Sequence, residues 1–276
     1  MSKDAEDLLT NYLDTTQLRD WPRILCCDSS RSLYCPICCR VLIPEEDWPE
    51  PIKDGSLKLP FDVDIILDEK ERRTSSTGLH MIAISSLLKQ PSRQVLLVDL
   101  EKEEMPAYGE EQKGDEGVYV LFPGKDSLPI SSVGPIQKLI VLDCKWSSPH
   151  KVKMHPNITS LPRVHLVSPP AQSRFWRWHN SGEGMLSTIE AVYFASWQVS
   201  EAWELEDRQK LVHLMWLFAL QRSLITTRSH VEQRQTPLPF TEAGKDYQRE
   251  MRMRQKGNPP KTRIVSPDLK EYLAKH

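Results

Sequence analysis

Leu139-Ile140-Val141-Leu142-Asp143-Cys144-Lys145-Trp146 is the stretch on which the fold turns. An unbroken aliphatic run stops abruptly at an acidic residue. A strand that is apolar at every position is covered on both faces, as in a parallel sheet flanked by helices. In open sheets of that kind, ligands gather beyond the carboxyl ends of the strands. Asp143 therefore falls at the edge where chemistry is expected. Two roles are open to it: a general base or holder of a polar ligand group, or a carboxylate that caps the next helix or faces water.

Outward from this run, Phe61–Leu67, Gln94–Leu100, Val118–Phe122 and Arg163–Val167 read as further strands. Leu79–Leu88, Ser187–Gln198 and Arg208–Ile225 read as helices. Their alternation predicts an α/β domain with a mostly parallel sheet over residues 45–228, opening on a proline-bearing connector, Glu45–Leu59. Residues 1–22 read as a polar, flexible lead with one amphipathic stretch around Leu8, Leu9, Tyr12 and Leu13. Residues 23–44 hold a cysteine knuckle, Glu101–Glu116 reads as a solvated acidic loop, and residues 229–276 read as a polar, partly basic tail.

The 276 residues include 36 basic and 38 acidic side chains, a net charge of -2, so any surface for a polyanion must be local. No apolar run approaches the ~18 residues of a membrane-spanning helix. The N-terminal stretch lacks the pattern of a secretory or transit peptide, which places the expected location in the nucleus or cytoplasm. Thiols there stay reduced. Five of the six cysteines cluster between Cys26 and Cys39, which points to a metal site before a disulfide framework. Cys27, Cys35 and Cys38 are the candidate ligands of a structural zinc. Cys26 is an uncertain fourth, because adjacent ligands on one ion are geometrically awkward.

Other segments carry candidate chemistry. Leu121-Phe122-Pro123-Gly124 ends a strand in a turn whose backbone can approach a cofactor. Leu186-Ser187-Thr188-Ile189-Glu190 spells a capping box, Ser187 with Glu190 three residues on. That structural reading suffices by itself, but Gly182 and Gly184 lead into the same helix N-terminus, which offers free N–H groups to anions. Arg174, Trp176, Arg177, Trp178 and His179 interleave cations with aromatic rings, a pattern able to contact phosphates and stack on unpaired bases. A strand with a buried aromatic face is the competing interpretation. His80 is expected at the same sheet edge, and His213 as a satisfied core residue. There is no P-loop and no dinucleotide-binding glycine fingerprint.

Taken in order, these segments resemble the DTW-domain family of tRNA-uridine aminocarboxypropyltransferases, most closely its eukaryotic branch. The carrying residues are Tyr34-Cys35-Pro36-Ile37-Cys38, Leu59-Pro60, Ser76-Thr77 with His80, and Leu121-Phe122-Pro123-Gly124. Asp143-Cys144-Lys145-Trp146 stands where the family has its Asp-x-Thr-Trp motif; Ser173-Arg174-Phe175 and Leu186-Ser187-Thr188-Ile189-Glu190-Ala191 follow. The resemblance spans about Leu25 to Ile225 and departs at two points: Lys145 replaces the motif's Thr, and Ile24 stands where the knuckle has its first cysteine.

The resemblance implies a SPOUT-like fold with a knotted cofactor-binding region and S-adenosylmethionine as cofactor. It implies transfer of the 3-amino-3-carboxypropyl group to N3 of a tRNA uridine, releasing methylthioadenosine. Asp143 is then the candidate base or uracil-orienting group and Trp146 a wall of the pocket. Leu121, Phe122, Pro123, Gly124, Leu186, Ser187, Thr188 and Glu190 are candidate cofactor contacts. Arg174 and Arg177 are candidates for phosphates or the methionine carboxylate, and Trp176, Trp178 and His179 for tRNA. The alternatives are an RNA methyltransferase of the same broad fold and a tRNA-binding protein with a retired site, which Lys145 would favour.

Overall fold

The computed structural model describes residues 3–108, 117–145, 150–177, 184–231 and 242–255. Along the chain it contains α1 (Lys3–Thr15), β1 (Ile24–Cys26), β2 (Ser29–Arg31), α2 (Glu50–Lys53), β3 (Asp62–Leu67), α3 (Gly78–Ser85), β4 (Val95–Asp99), β5 (Val118–Leu121), β6 (Leu128–Pro129) and β7 (Lys138–Asp143). Then come α4 (His150–Lys153), α5 (Pro156–Thr159), β8 (Arg163–His165), α6 (Thr188–Ala202), α7 (Trp216–Val231) and α8 (Glu242–Gln255).

Six strands form one sheet in the order β4-β3-β7-β5-β8-β6, and every described pairing in it is parallel. The apolar runs explain this arrangement, since alternate residues of β3 and β7 point into two separate cores. Val63 and Ile65 of β3 and Leu139 and Val141 of β7 pack on one face with α1, α3, α6 and α7. Ile66 and Ile140 pack on the other with Val152, Ile158 and Leu161 from α4, α5 and the turn after them. β7 follows β5 in sequence yet lies between β3 and β5. Its register pairs Leu67 with Asp143 and Leu121 with Val141, so the three strands end at one edge.

Several expectations need correction. Residues 1–22 are not simply a flexible lead. Ala5, Leu9 and Leu13 of α1 recur at four-residue spacing, form one helical stripe and are buried in the main core. The Tyr193 hydroxyl donates to the Ala5 carbonyl at 2.9 Å, fastening α1 to α6.

The acidic loop after β4 is not wholly solvated. Met105 is buried, and the Tyr108 hydroxyl donates to Asp64 Oδ2 at 2.7 Å, beside the Lys138 ammonium at 3.1 Å. The helix expected over Arg208–Ile225 is split: Arg208–Met215 is a 3-10 helix that turns Leu211 and Leu214 inward at three-residue spacing, and α7 begins only at Trp216. The tail contains α8, and its basic end beyond Gln255 lies outside the described residues.

Candidate active site

Because β7 is inserted between β3 and β5, the segments leaving those neighbours diverge and leave a cleft over the end of β7. The cleft has a volume of about 670 Å³, within the ~300–1,000 Å³ typical of small-molecule sites. On the β5–β8 side its wall is apolar: Leu121, Phe122 and Pro123, then Leu166 and Pro169, with Met185 and Leu186 leading into α6. On the β3–β7 side it is polar, formed by Glu71, Ser75 and Thr77 before α3, Asp143, Cys144 and Lys145 after β7, and Arg177.

Asp143 is buried, with 5% of its surface exposed, and both carboxylate oxygens accept from the protein. Oδ2 takes the Ser76 hydroxyl at 2.5 Å and the Gly78 N–H at 3.1 Å, while Oδ1 takes the Thr188 hydroxyl at 2.9 Å. Gly78 and Thr188 are the first residues of α3 and α6, so one carboxylate gathers two helix N-termini. The fit is close: a Cβ on Gly78 would lie 2.4 Å from Asp143 Oδ2 and 2.8 Å from Ile65 Cγ2. Burial pushes the Asp143 carboxyl up to about 6; the Ser76 and Thr188 hydroxyls and the Gly78 N–H pull it down, and the Glu71 charge pushes it up.

The capping role first open to Asp143 is corrected in its partner: it caps α3, which precedes it by more than sixty residues, rather than the next helix, while the residue itself lines the cleft. Cys144 beside it is held as a thiol, pushed up to about 12 by burial and the charges of Asp143, Asp68 and Glu71. Lys145 is exposed at the cleft, and Trp146 lies outside the described residues.

The remaining candidates divide. Leu121, Phe122, Pro123, Leu186, Ser187 and Thr188 line the cleft. Gly124 does not, and a side chain there would meet nothing within 4 Å, so protein packing does not require glycine. Glu190 does not line it either: 1% exposed, it accepts from the Ser187 N–H at 2.9 Å, the Arg174 N–H at 2.7 Å and the Ser173 hydroxyl at 2.5 Å. The capping-box reading therefore accounts for Glu190, which also anchors the 173–175 segment.

Arg174 points away to α1, with Nη2 donating to Thr10 Oγ1 at 3.0 Å and lying 3.6 Å from Glu6. Trp176 is no stacking platform. It is 9% exposed, with ring centroids 4.6 Å from Phe175 and 5.2 Å from Phe218. Of this basic–aromatic segment Arg177 and Phe175 line the cleft; Trp178 and His179 lie outside the described residues. His80 is buried beneath the site against Tyr34, with Nε2 on Gln221 Oε1 at 2.9 Å. Glu71, Ser75 and Gly78 were not legible as site residues, although Ser75-Ser76-Thr77-Gly78, a run of small polar residues opening a helix, was the available signal.

The thiols of Cys26, Cys27, Cys35 and Cys38 all lie within 4.8 Å of one another, with Cys26 and Cys38 sulfurs 3.6 Å apart. Four thiolates at about 2.3 Å from a tetrahedral ion stand roughly 3.8 Å apart, so the set fits one metal. The expected awkwardness of adjacent ligands is relieved by the backbone. β1 and β2 pair antiparallel, Cys27 sits in the turn between them at φ 53°, and that left-handed conformation brings its sulfur to the side of Cys26. Ile24, in the place of the family's first cysteine, is a partly exposed strand residue. Burial pushes the Cys35 thiol up, but the backbone N–H groups of Cys38 and Ile37 and the neighbouring thiols outweigh it and bring it down to about 7. Arg73 joins this knuckle to the site: it donates to the Pro36 and Ile37 carbonyls at 2.8 and 3.1 Å and to Asp99 at 2.5 Å.

The architecture is thus a parallel-sheet α/β domain with a small-molecule cleft at the carboxyl edge, beside a cysteine knuckle suited to a metal. The family model described as the DTW domain matches residues 32–223, and the chain belongs to that family, which contains tRNA-uridine aminocarboxypropyltransferases. The match begins after Cys26 and Cys27. Among solved structures, the chain is similar to the SAM-dependent rRNA:acp-transferase Tsr3 from Vulcanisaeta distributa, at 18% identity and a TM-score of 0.37, over 63% of this chain and 83% of that one. No curated protein matches it.

Proposed function

We propose that the protein transfers the 3-amino-3-carboxypropyl group of S-adenosylmethionine to N3 of a uridine in tRNA. The observation that carries this reading is convergence. Leu121–Pro123, Asp143–Lys145, Phe175 with Arg177, and Leu186–Thr188 are separated in sequence, belong to the ordered motifs of the DTW family, and line one cleft.

The cleft's composition suits the co-substrate. The apolar wall of Leu121, Phe122, Leu166 and Leu186 offers a seat for an adenosine, and Arg177 offers a partner for a carboxylate. The bound co-substrate supplies a sulfonium that activates its attached carbons, so this chain's residues need only choose which carbon meets the base. Asp143 serves by holding the N-termini of α3 and α6 at the cleft, and Thr188 and Ser187 present the α6 end. Cys26, Cys27, Cys35 and Cys38 are assigned to a structural zinc, whose role is to hold the knuckle against Arg73.

The test is mass spectrometry of nucleosides from a complete, unmodified tRNA pool incubated with the protein and S-adenosylmethionine. A uridine heavier by one aminocarboxypropyl group, with methylthioadenosine released, is the expected result. A methyl-sized increment would move the assignment to a methyltransferase. Unmodified tRNA that nevertheless binds would favour a retired site, with Lys145 as the residue to revert to Thr.

A further inference from the structure

We infer that Glu71, not Asp143, accepts the N3 proton of the target uridine. The inference rests on the reading given under Proposed function and assigns one step of it. N3 of uracil carries a proton, and its lone pair is available to carbon only as that proton leaves. The step needs an acceptor on the cleft wall with room for a nucleobase.

Six of the described residues lining the cleft carry a group that can hold or release a proton: Glu71, Asp143, Cys144, Lys145, His165 and Arg177. Lys145 and Arg177 are cations. Cys144 is kept as a thiol by its surroundings. Asp143 is 5% exposed and its oxygens already take three donors, Ser76 and Gly78 on Oδ2 and Thr188 on Oδ1, so a uracil reaches it less readily than it reaches half-buried Glu71. His165 sits on the apolar side at the end of β8, with Nδ1 on the Ser127 hydroxyl at 2.9 Å.

Glu71 is the acceptor on the polar side, and its placement suits the task. It is half-buried on the polar side of the cleft, and among the described residues only the Ser75 hydroxyl donates to its carboxylate, at 3.0 Å to Oε1. One oxygen is thereby held, and the side chain lines the cleft. The charged groups around it are Asp143 at the end of β7, Arg177, and Asp68 and Arg72 from its own segment, with the neutral Cys144 thiol beside Asp143. Arg72 and Lys145 are exposed at this end, so the polyanionic substrate is drawn to the side on which Glu71 stands.

The step balances simply. Glu71 takes the proton from N3 as the N3 lone pair forms a bond to the methylene carbon. The carbon–sulfur bond breaks, its electron pair stays on sulfur, and neutral methylthioadenosine leaves. Glu71 then returns its proton to water.

The experiment compares wild type, Glu71→Gln, Glu71→Asp and Asp143→Asn in single-turnover transfer to tRNA, across pH, with S-adenosylmethionine affinity measured separately. Glu71→Gln keeps an acceptor for Ser75 but cannot take a proton. It should lose roughly 100- to 10,000-fold in rate at neutral pH, bind S-adenosylmethionine as wild type does, and regain rate as pH rises and N3 ionises unaided. Glu71→Asp should fall between the two.

Transfer by Glu71→Gln at the wild-type rate overturns the assignment. So does weakened S-adenosylmethionine binding with full rate at saturation, which would make Glu71 a ligand for the co-substrate's ammonium. If instead Asp143→Asn is folded and inactive while Glu71→Gln keeps the wild-type pH profile, Asp143 is the base. Wild-type protein that makes no aminocarboxypropyluridine refutes the functional reading itself, and the assignment with it.

Discussion

Gly78→Ala adds a single methyl group, and the structure predicts a cost well beyond one methyl. Gly78 opens α3 with a backbone that an L-residue adopts freely, so helix propensity alone favours alanine by up to ~1 kcal/mol. The added Cβ, however, would lie 2.4 Å from Asp143 Oδ2, 2.8 Å from Ile65 Cγ2 and 3.3 Å from Asp143 Cγ. None of these can retreat: Ile65 is fully buried in β3, and Asp143 is fixed by three donors. Overpacking of this kind costs about 1–3 kcal/mol. Moving the carboxylate also weakens its bonds from Ser76 and Gly78, and a hydrogen bond to a charged group is worth about 1.5–3 kcal/mol. The net expectation is about 3 kcal/mol, or about 6–12 °C in melting temperature for a domain of this size. Thermal unfolding of Gly78→Ala beside Ser76→Ala checks it. Ser76→Ala removes one donor without adding bulk and should cost about half as much. A Gly78→Ala protein that melts as wild type, or no lower than Ser76→Ala, would refute the steric argument.

Two further outcomes follow from the same region. Asp143 is pushed up from 3.8 to about 6 chiefly by burial, so the native state holds the extra proton, and this group's stabilisation, present below pH 3.8, is lost as pH rises through 6. His80 is pushed down from 6.5 to about 4 by burial, so its contribution is present above pH 6.5 and lost as pH falls through 4. Each is worth about 3 kcal/mol and they oppose one another between about pH 4 and 6. Urea unfolding at pH 5 and pH 7 should therefore show Asp143→Asn more acid-sensitive than wild type; equal sensitivity would refute the assignment of Asp143 as the counterweight. For the knuckle, metal analysis should find about one zinc per chain, absent from Cys35→Ser. Stripping the metal should also lower the melting temperature, because Arg73 loses a fixed partner; wild type purified with unmodified cysteines and no metal would count against the site.

Much of the fold was legible because parallel strands buried on both faces leave an unmistakable trace. Val118–Leu121, Lys138–Asp143 and Asp62–Leu67 are short aliphatic runs that end sharply at turns, and the strands fall where those runs do. What was hidden was adjacency. Nothing in the sequence says that β7 enters between β3 and β5, and the site's polar wall exists only because it does. Glu71 sits in a charged run that reads as a solvated turn, and it becomes a wall of the cleft only when β7 pairs beside β3. Trp176 misled for the opposite reason. A tryptophan between two arginines has the composition of a nucleic-acid contact, but Arg174 turns to α1 and Arg177 to the cleft, leaving the ring in the core. The amphipathic spacing in α1 was visible, but the surface it covers is the 3-10 helix Arg208–Met215, about two hundred residues away, with Tyr193 of α6 fastening Ala5.

The burial of Asp143 shows why this cleft is built as it is. A carboxylate sealed at the end of a central strand weakens the fold near neutral pH, as its raised proton affinity records. An apolar residue there would avoid that cost. It would also take away the acceptor of the Gly78 N–H and the Thr188 hydroxyl, at the first residues of α3 and α6, and the charge that faces the positive ends of both helix dipoles. Those two ends border the cleft, and with Asp143 removed the hydrogen bond between them would be that of the Ile189 N–H to the Thr77 hydroxyl, at 3.3 Å. The charge is retained at a stability cost because it ties Ser76 and Gly78 at the start of α3 to Thr188 at the start of α6, beside which Thr77 and Ser187 line the cleft.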